Sequence, residues 1–148
     1  MAGYNPVYAY EYAVTPCIDF YQFSVVEGIL HLTYHQRSAD MVLGAPNDFA
    51  QNALFLALMA QTCGLKPGTV TGNLVHADIY SKNLDAIKEA ILRPKCKILP
   101  TLELDPDTDV FNFTWDKAKL NNYHCGPRLS FDRSVGMVSG VVAPDGIK

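Results

Sequence analysis

Apolar and polar positions alternate over residues 19–26 and again over 29–36, which predicts two strands joined at Glu27-Gly28. Along the second strand Leu30, Leu32 and Tyr34 share one face, and His31, Thr33 and His35 share the other. The period then changes. Pro46-Asn47-Asp48 carries helix-start chemistry, and a helix is expected to run to about Cys63 and to stop at Gly64. Its segment Ala53-Leu54-Phe55-Leu56-Ala57-Leu58-Met59-Ala60 is apolar on every side, so this helix is expected to be buried all round. Lys66-Pro67-Gly68 reads as a turn, and the β-branched residues of 69–80 predict a third strand. Residues 84–92 read as a short amphipathic helix stopped by Pro94. Strands are expected over 98–104 and 110–114, parted by Asp105-Pro106-Asp107, and a last one over 122–131. Residues 136–148 read as a flexible tail. Strands interspersed with two helices predict one α+β domain over residues 1–148.

Composition narrows the class. Of 148 residues, 49% are hydrophobic and 18% charged, enough to build a core and too apolar for a disordered chain. A net charge of -3 gives no electrostatic footprint for nucleic acid. A nucleotide needs only a local basic cluster, so mild acidity is compatible with one. The longest apolar run is too short to span a bilayer, and no basic start followed by an apolar stretch marks a signal peptide. The four cysteines show no C-x-x-C spacing and form no zinc pattern with the four histidines. The expectation is a cytoplasmic chain with reduced thiols, no bound metal, no membrane contact and no nucleic acid.

Candidate chemistry collects at the ends of the predicted elements, where functional sites tend to lie. Cys17 follows Thr15-Pro16 and precedes the first strand, with Gln22-Phe23 further along it. Gln36-Arg37-Ser38-Ala39-Asp40 ends the second strand and leads to Leu43-Gly44-Ala45-Pro46. A thiolate is a soft nucleophile, and a guanidinium both favours the thiolate and binds anions. A free cysteine is otherwise most often a small buried hydrophobe.

The ordered pattern Pro-Cys, Gln-Phe and Gln-Arg-Ser-x-Asp-x-x-Leu-Gly-x-Pro resembles the C-terminal half of thymidylate synthases and of their relatives, the deoxycytidylate hydroxymethylases. The resemblance implies the thymidylate synthase fold: a mixed β-sheet with a buried central helix, the sheet stacking on its copy in a homodimer. It implies transfer of a one-carbon unit from the reduced folate 5,10-methylenetetrahydrofolate to C5 of a pyrimidine nucleotide monophosphate. Cys17 takes the position of the nucleophile that adds to C6 of the ring. Arg37 and Ser38 take the positions that hold the 5′-phosphate, and Asp40, Leu43 and Gly44 match positions lining the pyrimidine and folate sites.

Two departures bear on the substrate. Thymidylate synthases read Pro-Phe-Asn-Ile-Ala where this chain reads Pro46-Asn47-Asp48-Phe49-Ala50, so Asp48 replaces the amide that reads uracil. A carboxylate can accept from the N4 amino group of cytosine, and the same exchange marks the deoxycytidylate hydroxymethylases. The other reading makes Asp48 a helix cap and moves base recognition to Asn47. Relatives also carry Asp-Ala-His-Leu-Tyr where this chain has His76-Ala77-Asp78-Ile79-Tyr80. Tyr80 matches the residue that binds the sugar 3′-hydroxyl, Asp78 takes the position of the family His, and His76 lies two places back. The reading is hydroxymethylation of dCMP, with methylation of dUMP as the alternative. Sixteen residues precede Cys17, where relatives carry a further segment with a catalytic Glu and additional arginines. A non-catalytic nucleotide-binding or assembly module of the same fold is therefore the rival reading.

Overall fold

A computed structural model describes residues 1–8, 10–12 and 14–131. The expected tail over 136–148 lies outside the described residues. Strands β1 (Ile18–Val26) and β2 (Ile29–Gln36) form an antiparallel hairpin. Its turn residues Glu27 and Gly28 both have positive φ, 50° and 77°. That geometry follows the right-handed twist of the strands, and glycine adopts it without a Cβ penalty. Strand β4 (Lys66–Leu74) pairs with the other edge of β2 in parallel, giving the order β1-β2-β4. Parallel neighbours need a crossover, and helix α1 (Gly44–Thr62) supplies it. Two short ribbons complete the described topology: β3 (Ala39–Asp40) beside β5 (Ala77–Asp78), and β6 (Thr101–Leu104) beside β7 (Ala118–Asn121). Helix α2 (Leu84–Leu92) has the expected limits.

The alternation of β2 appears directly in its burial. Leu30, Leu32, Tyr34 and Gln36 are buried, and the residues between them are more open. Leu30 and Leu32 meet Leu56 and Ala60 of α1, flanked by Tyr21, Phe23, Phe55 and Met59. Phe55 lies edge-on to Tyr21 and Phe23 with ring centroids 5.8 Å and 5.6 Å apart. That spacing suits aromatic quadrupoles better than face-to-face stacking.

Several expected elements are corrected. Helix α1 begins at Gly44, ahead of Pro46, and its N-cap Leu43 makes no side-chain cap bond. Proline fits a first turn, where the missing N–H has no helical partner in any case. The helix is not buried all round: Ala50, Gln51 and Ala53 are exposed, and Leu54 and Phe55 are half-buried. The strand expected over 69–80 starts at Lys66, because pairing with Ile29 and Leu30 recruits the supposed turn. It breaks at Val75-His76, where the Val75 N–H donates to Gln36 O and the chain moves over to β3. No strand forms over 110–114. The Asp109 carboxylate accepts from the Phe111 and Asn112 N–H groups at 2.7 Å and 2.8 Å, a local turn that competes with extension. The strand expected over 122–131 is displaced to 118–121, and Asn122, in the left-handed region at φ 57°, ends it.

Gly72 on β4 has a packing reason. A Cβ there would lie 2.6 Å from the Tyr34 hydroxyl oxygen and 2.8 Å from Phe49 Cζ. Tyr34 is fully buried and stands edge-on to Phe49, so the tyrosine ring has no room to retreat. Gly72→Ala is expected to cost about 1–3 kcal/mol of stability through overpacking. That corresponds to a melting temperature lower by roughly 3–10 °C in calorimetry. An unchanged melting temperature would refute this packing account.

Candidate functional site

The end of β2 organises the site. The Arg37 N–H donates to Cys17 O at 2.9 Å, which docks the segment before β1 against the end of β2. The Arg37 side chain reinforces that contact. Its Nε donates to Pro16 O at 3.3 Å, and Nη2 donates to Thr15 O and lies 3.9 Å from Cys17 Sγ. The guanidinium therefore carries the Thr15-Pro16-Cys17 loop on one side. Nη1 keeps its two N–H groups free of protein partners among the described residues. Cys17 is exposed and unbridged. Ser38 is half-buried, and its hydroxyl has no protein partner among the described residues.

Gln36, one residue before Arg37, is almost fully buried at 2% exposure. Its Nε2 donates to Asp48 Oδ2 at 2.8 Å and to Ser38 O at 3.0 Å. A carboxylate only accepts, so the amide must turn its NH2 toward Asp48. Gln36 Oε1 is then left buried without a partner, and the buried Tyr34 hydroxyl is also unpartnered among the described residues. Burial, and then the Asp48 charge, push the hydroxyl pKa values of Tyr21 and Tyr34 above their ordinary value. Tyr34 and Gln36 were not among the site residues expected from sequence. Their signal was a polar residue continuing the buried face of Leu30, Leu32 and Tyr34.

Asp48 does not cap α1; it sits within the helix and faces Gln36. Asn47 donates from Nδ2 to Leu43 O at 2.7 Å, which ties its amide to its own helix. Asp40 Oδ1 accepts from the Val42 and Leu43 N–H groups at 2.9 Å and 3.4 Å and shapes the turn into α1. Gly44 lies between the two carboxylates. A Cβ there would reach 3.5 Å from Asp40 Cβ and 3.8 Å from Asp48 Oδ2, ordinary contacts that would fill this gap.

Asp78 pairs with Asp40 in register across β5 and β3, which places it at the same end of the fold. His76 lies in the bend before β5, and its Nδ1 is 2.8 Å from Asp78 Oδ2. It therefore engages Asp78, with no hydrogen bond to Cys17 or Arg37. Tyr80 is half-buried just beyond β5, and its carbonyl accepts from the Asn83 N–H at 2.9 Å. The histidines His31 and His35 have local roles. His31 Nδ1 accepts from the Thr69 N–H at 3.1 Å, and His35 Nδ1 is 2.6 Å from Asp19 Oδ1. Among the described residues no three His, Cys, Asp or Glu side chains converge as a metal site. No described helix is long and apolar enough to cross a membrane.

A family model described as thymidylate synthase matches residues 1–135. Among solved structures, the thermostable thymidylate synthase A from Bacillus subtilis is similar over 89% of this chain, with 32% sequence identity and a TM-score of 0.83. The match takes in 48% of the Bacillus chain, so this chain spans about half the length of that relative. A match over so much of the sequence means that the chain belongs to the thymidylate synthase family.

Proposed function

We propose that this site transfers a one-carbon unit from a reduced folate to C5 of a pyrimidine nucleoside monophosphate, and that the base it reads is cytosine. The Cys17 thiolate adds to C6, which breaks aromaticity and makes C5 enamine-like. C5 takes up the one-carbon unit and gives up its proton as the carrier amine leaves; water adds to the exocyclic methylene so formed, and expulsion of the Cys17 thiolate from C6 restores the ring. The two open N–H groups of Arg37 Nη1 and the Ser38 hydroxyl suit a 5′-phosphate, since planar guanidinium donors match phosphate oxygens. Tyr80 and the Asp78–His76 pair are assigned to the sugar. The folate supplies the one-carbon unit when bound. Asp40, Leu43 and Gly44 would line its seat. A homodimer stacked through the outer face of the three-stranded sheet would cover Phe20, Val26 and Ile29, which are exposed there.

The observation that carries the base assignment is the Gln36–Asp48 hydrogen bond. It occupies one face of Oδ2 and leaves Oδ1 as an open acceptor. The N4 amino group of cytosine donates to such an acceptor; O4 of uracil would meet it lone pair to lone pair. With the Asn47 amide tied to Leu43 O, Asp48 is the base-reading residue of this site. Calorimetric titration of dCMP and dUMP tests this. Wild type is expected to bind dCMP several-fold more tightly, because a mismatched buried polar pair costs about 1–3 kcal/mol. Asp48→Asn is expected to reverse the order. Preference of the wild type for dUMP would make dUMP methylation the reaction instead. With cytosine as the base, water trapping the C5 methylene gives a hydroxymethyl product.

A further inference from the structure

The short ribbon of β3 and β5 carries a pairing that stability does not account for. Asp40 and Asp78 are in register on adjacent parallel strands, so two carboxylates leave the same face side by side. Like charges opposed in this way are unfavourable. The two backbones are nonetheless tied together. The Ala39 N–H donates to His76 O at 2.8 Å, and the Met41 N–H donates to Asp78 O at 2.9 Å. Asp40 turns its Oδ1 back on the Val42 and Leu43 N–H groups. Asp78 is met by His76, whose Nδ1 is 2.8 Å from its Oδ2. The side chains of this pair are 74% exposed at His76 and 44% at Asp78, and a pair so open to water adds little to stability. It does orient the carboxylate: Oδ2 is turned to His76, and Oδ1 has no partner among the described residues.

The ribbon follows directly on the end of β2 that carries Arg37. Ser38 stands two places before Asp40, so the period of two puts it on the face of Asp40 and Asp78. A nucleotide whose 5′-phosphate meets Arg37 and Ser38 reaches β5, one strand over, with the far side of its sugar. Relatives have a histidine where this chain has Asp78, and each imidazole nitrogen serves one hydrogen bond. A carboxylate only accepts, and its two oxygens take up several donors. Deoxyribose presents one hydroxyl donor there; ribose presents two on adjacent carbons, and carboxylates read ribose hydroxyls in dinucleotide-binding folds. We propose that Asp78 selects the sugar and that the substrate is a ribonucleoside monophosphate, its 2′- and 3′-hydroxyls donating to the Asp78 carboxylate. Asp78 is then a specificity-determining residue, and His76 a positioning residue that holds the carboxylate toward the sugar. The assignment rests on the proposed nucleotide site and adds to it the class of sugar.

Calorimetric titration with CMP, dCMP and the arabino epimer of CMP tests this. Wild type is expected to bind CMP about tenfold more tightly than dCMP, the low end of the range for a hydrogen bond to a charged group. The arabino epimer, whose 2′-hydroxyl points to the other face of the ring, should bind no better than dCMP. Asp78→Ala should bring CMP and dCMP to within about twofold of each other, and Asp78→His should leave dCMP bound at least as well as CMP. His76→Ala should narrow the preference for CMP over dCMP while the ratio of CMP to UMP affinity stays as in wild type. A merely structural pair would weaken all of these ligands alike. Both side chains are open to water, and circular dichroism checks that the variants stay folded. Binding of dCMP as tight as that of CMP, or a preference for CMP that survives Asp78→Ala, overturns the proposal and leaves the base assignment standing. Binding of neither nucleotide overturns both.

Discussion

Replacing Cys17 by serine is expected to abolish covalent capture of a 5-fluoropyrimidine nucleotide. Fluorine at C5 cannot leave as a proton does, so once the sulfur has added to C6 and C5 has taken the one-carbon unit, the adduct is trapped. Intact mass spectrometry of the protein incubated with 5-fluoro-dCMP or 5-fluoro-dUMP and methylenetetrahydrofolate should show a mass increase in wild type and none in Cys17→Ser. A hydroxyl is a far weaker nucleophile at neutral pH, so any turnover should fall by about 10³-fold or more, as when nucleophiles are removed elsewhere. The exposed position of Cys17 leaves its sulfur open to a ligand. An adduct that persists in Cys17→Ser would remove this residue from the mechanism. Absence of an adduct in wild type would favour a binding module of the same fold.

Arg37→Ala should separate the phosphate from the rest of the nucleotide. Loss of a hydrogen bond to a charged group costs about 1.5–3 kcal/mol, so monophosphate binding should weaken by roughly 10- to 150-fold. The free nucleoside should weaken much less. The side chain also holds Thr15 O and Pro16 O, so some disturbance of the Cys17 loop is expected for both ligands. The difference between the two ligands isolates the phosphate contribution. Equal losses for nucleotide and nucleoside would make Arg37 a brace for the loop and nothing more.

What could be read from the sequence was whatever is encoded within a few residues. The β1–β2 hairpin follows from period-two alternation and a two-residue turn, and α2 from a short amphipathic period closed by Pro94. The elements that went astray depend on partners distant in sequence. Lys66 and Pro67 look like a turn until Ile29 and Leu30 offer them a parallel edge. Residues 110–114 look extended until Asp109 and Asn112 take up the local N–H groups. The site shows the same division. Cys17, Arg37 and Ser38 stood out as candidates because their residue types and spacing carry the motif, and Asp48 because it departs from it. That Asp48 faces Gln36 and not the helix end, and that His76 engages Asp78, depends on side-chain directions that spacing does not encode.

The parallel pairing of β2 with β4 also determines when backbone groups can be satisfied during synthesis. The β1–β2 hairpin is local and can close on the microsecond scale as soon as both strands exist. The second edge of β2 has no partner until the whole of α1 has been made and has turned the chain back on itself. Until then a row of N–H and C=O groups beside Leu30 and Leu32 is open to any extended strand that arrives first. Non-local strand pairing of this kind folds slowly. The same crossover that brings Gln36 to Asp48 therefore makes the nascent chain depend on rapid formation of α1 to avoid pairing with its neighbours.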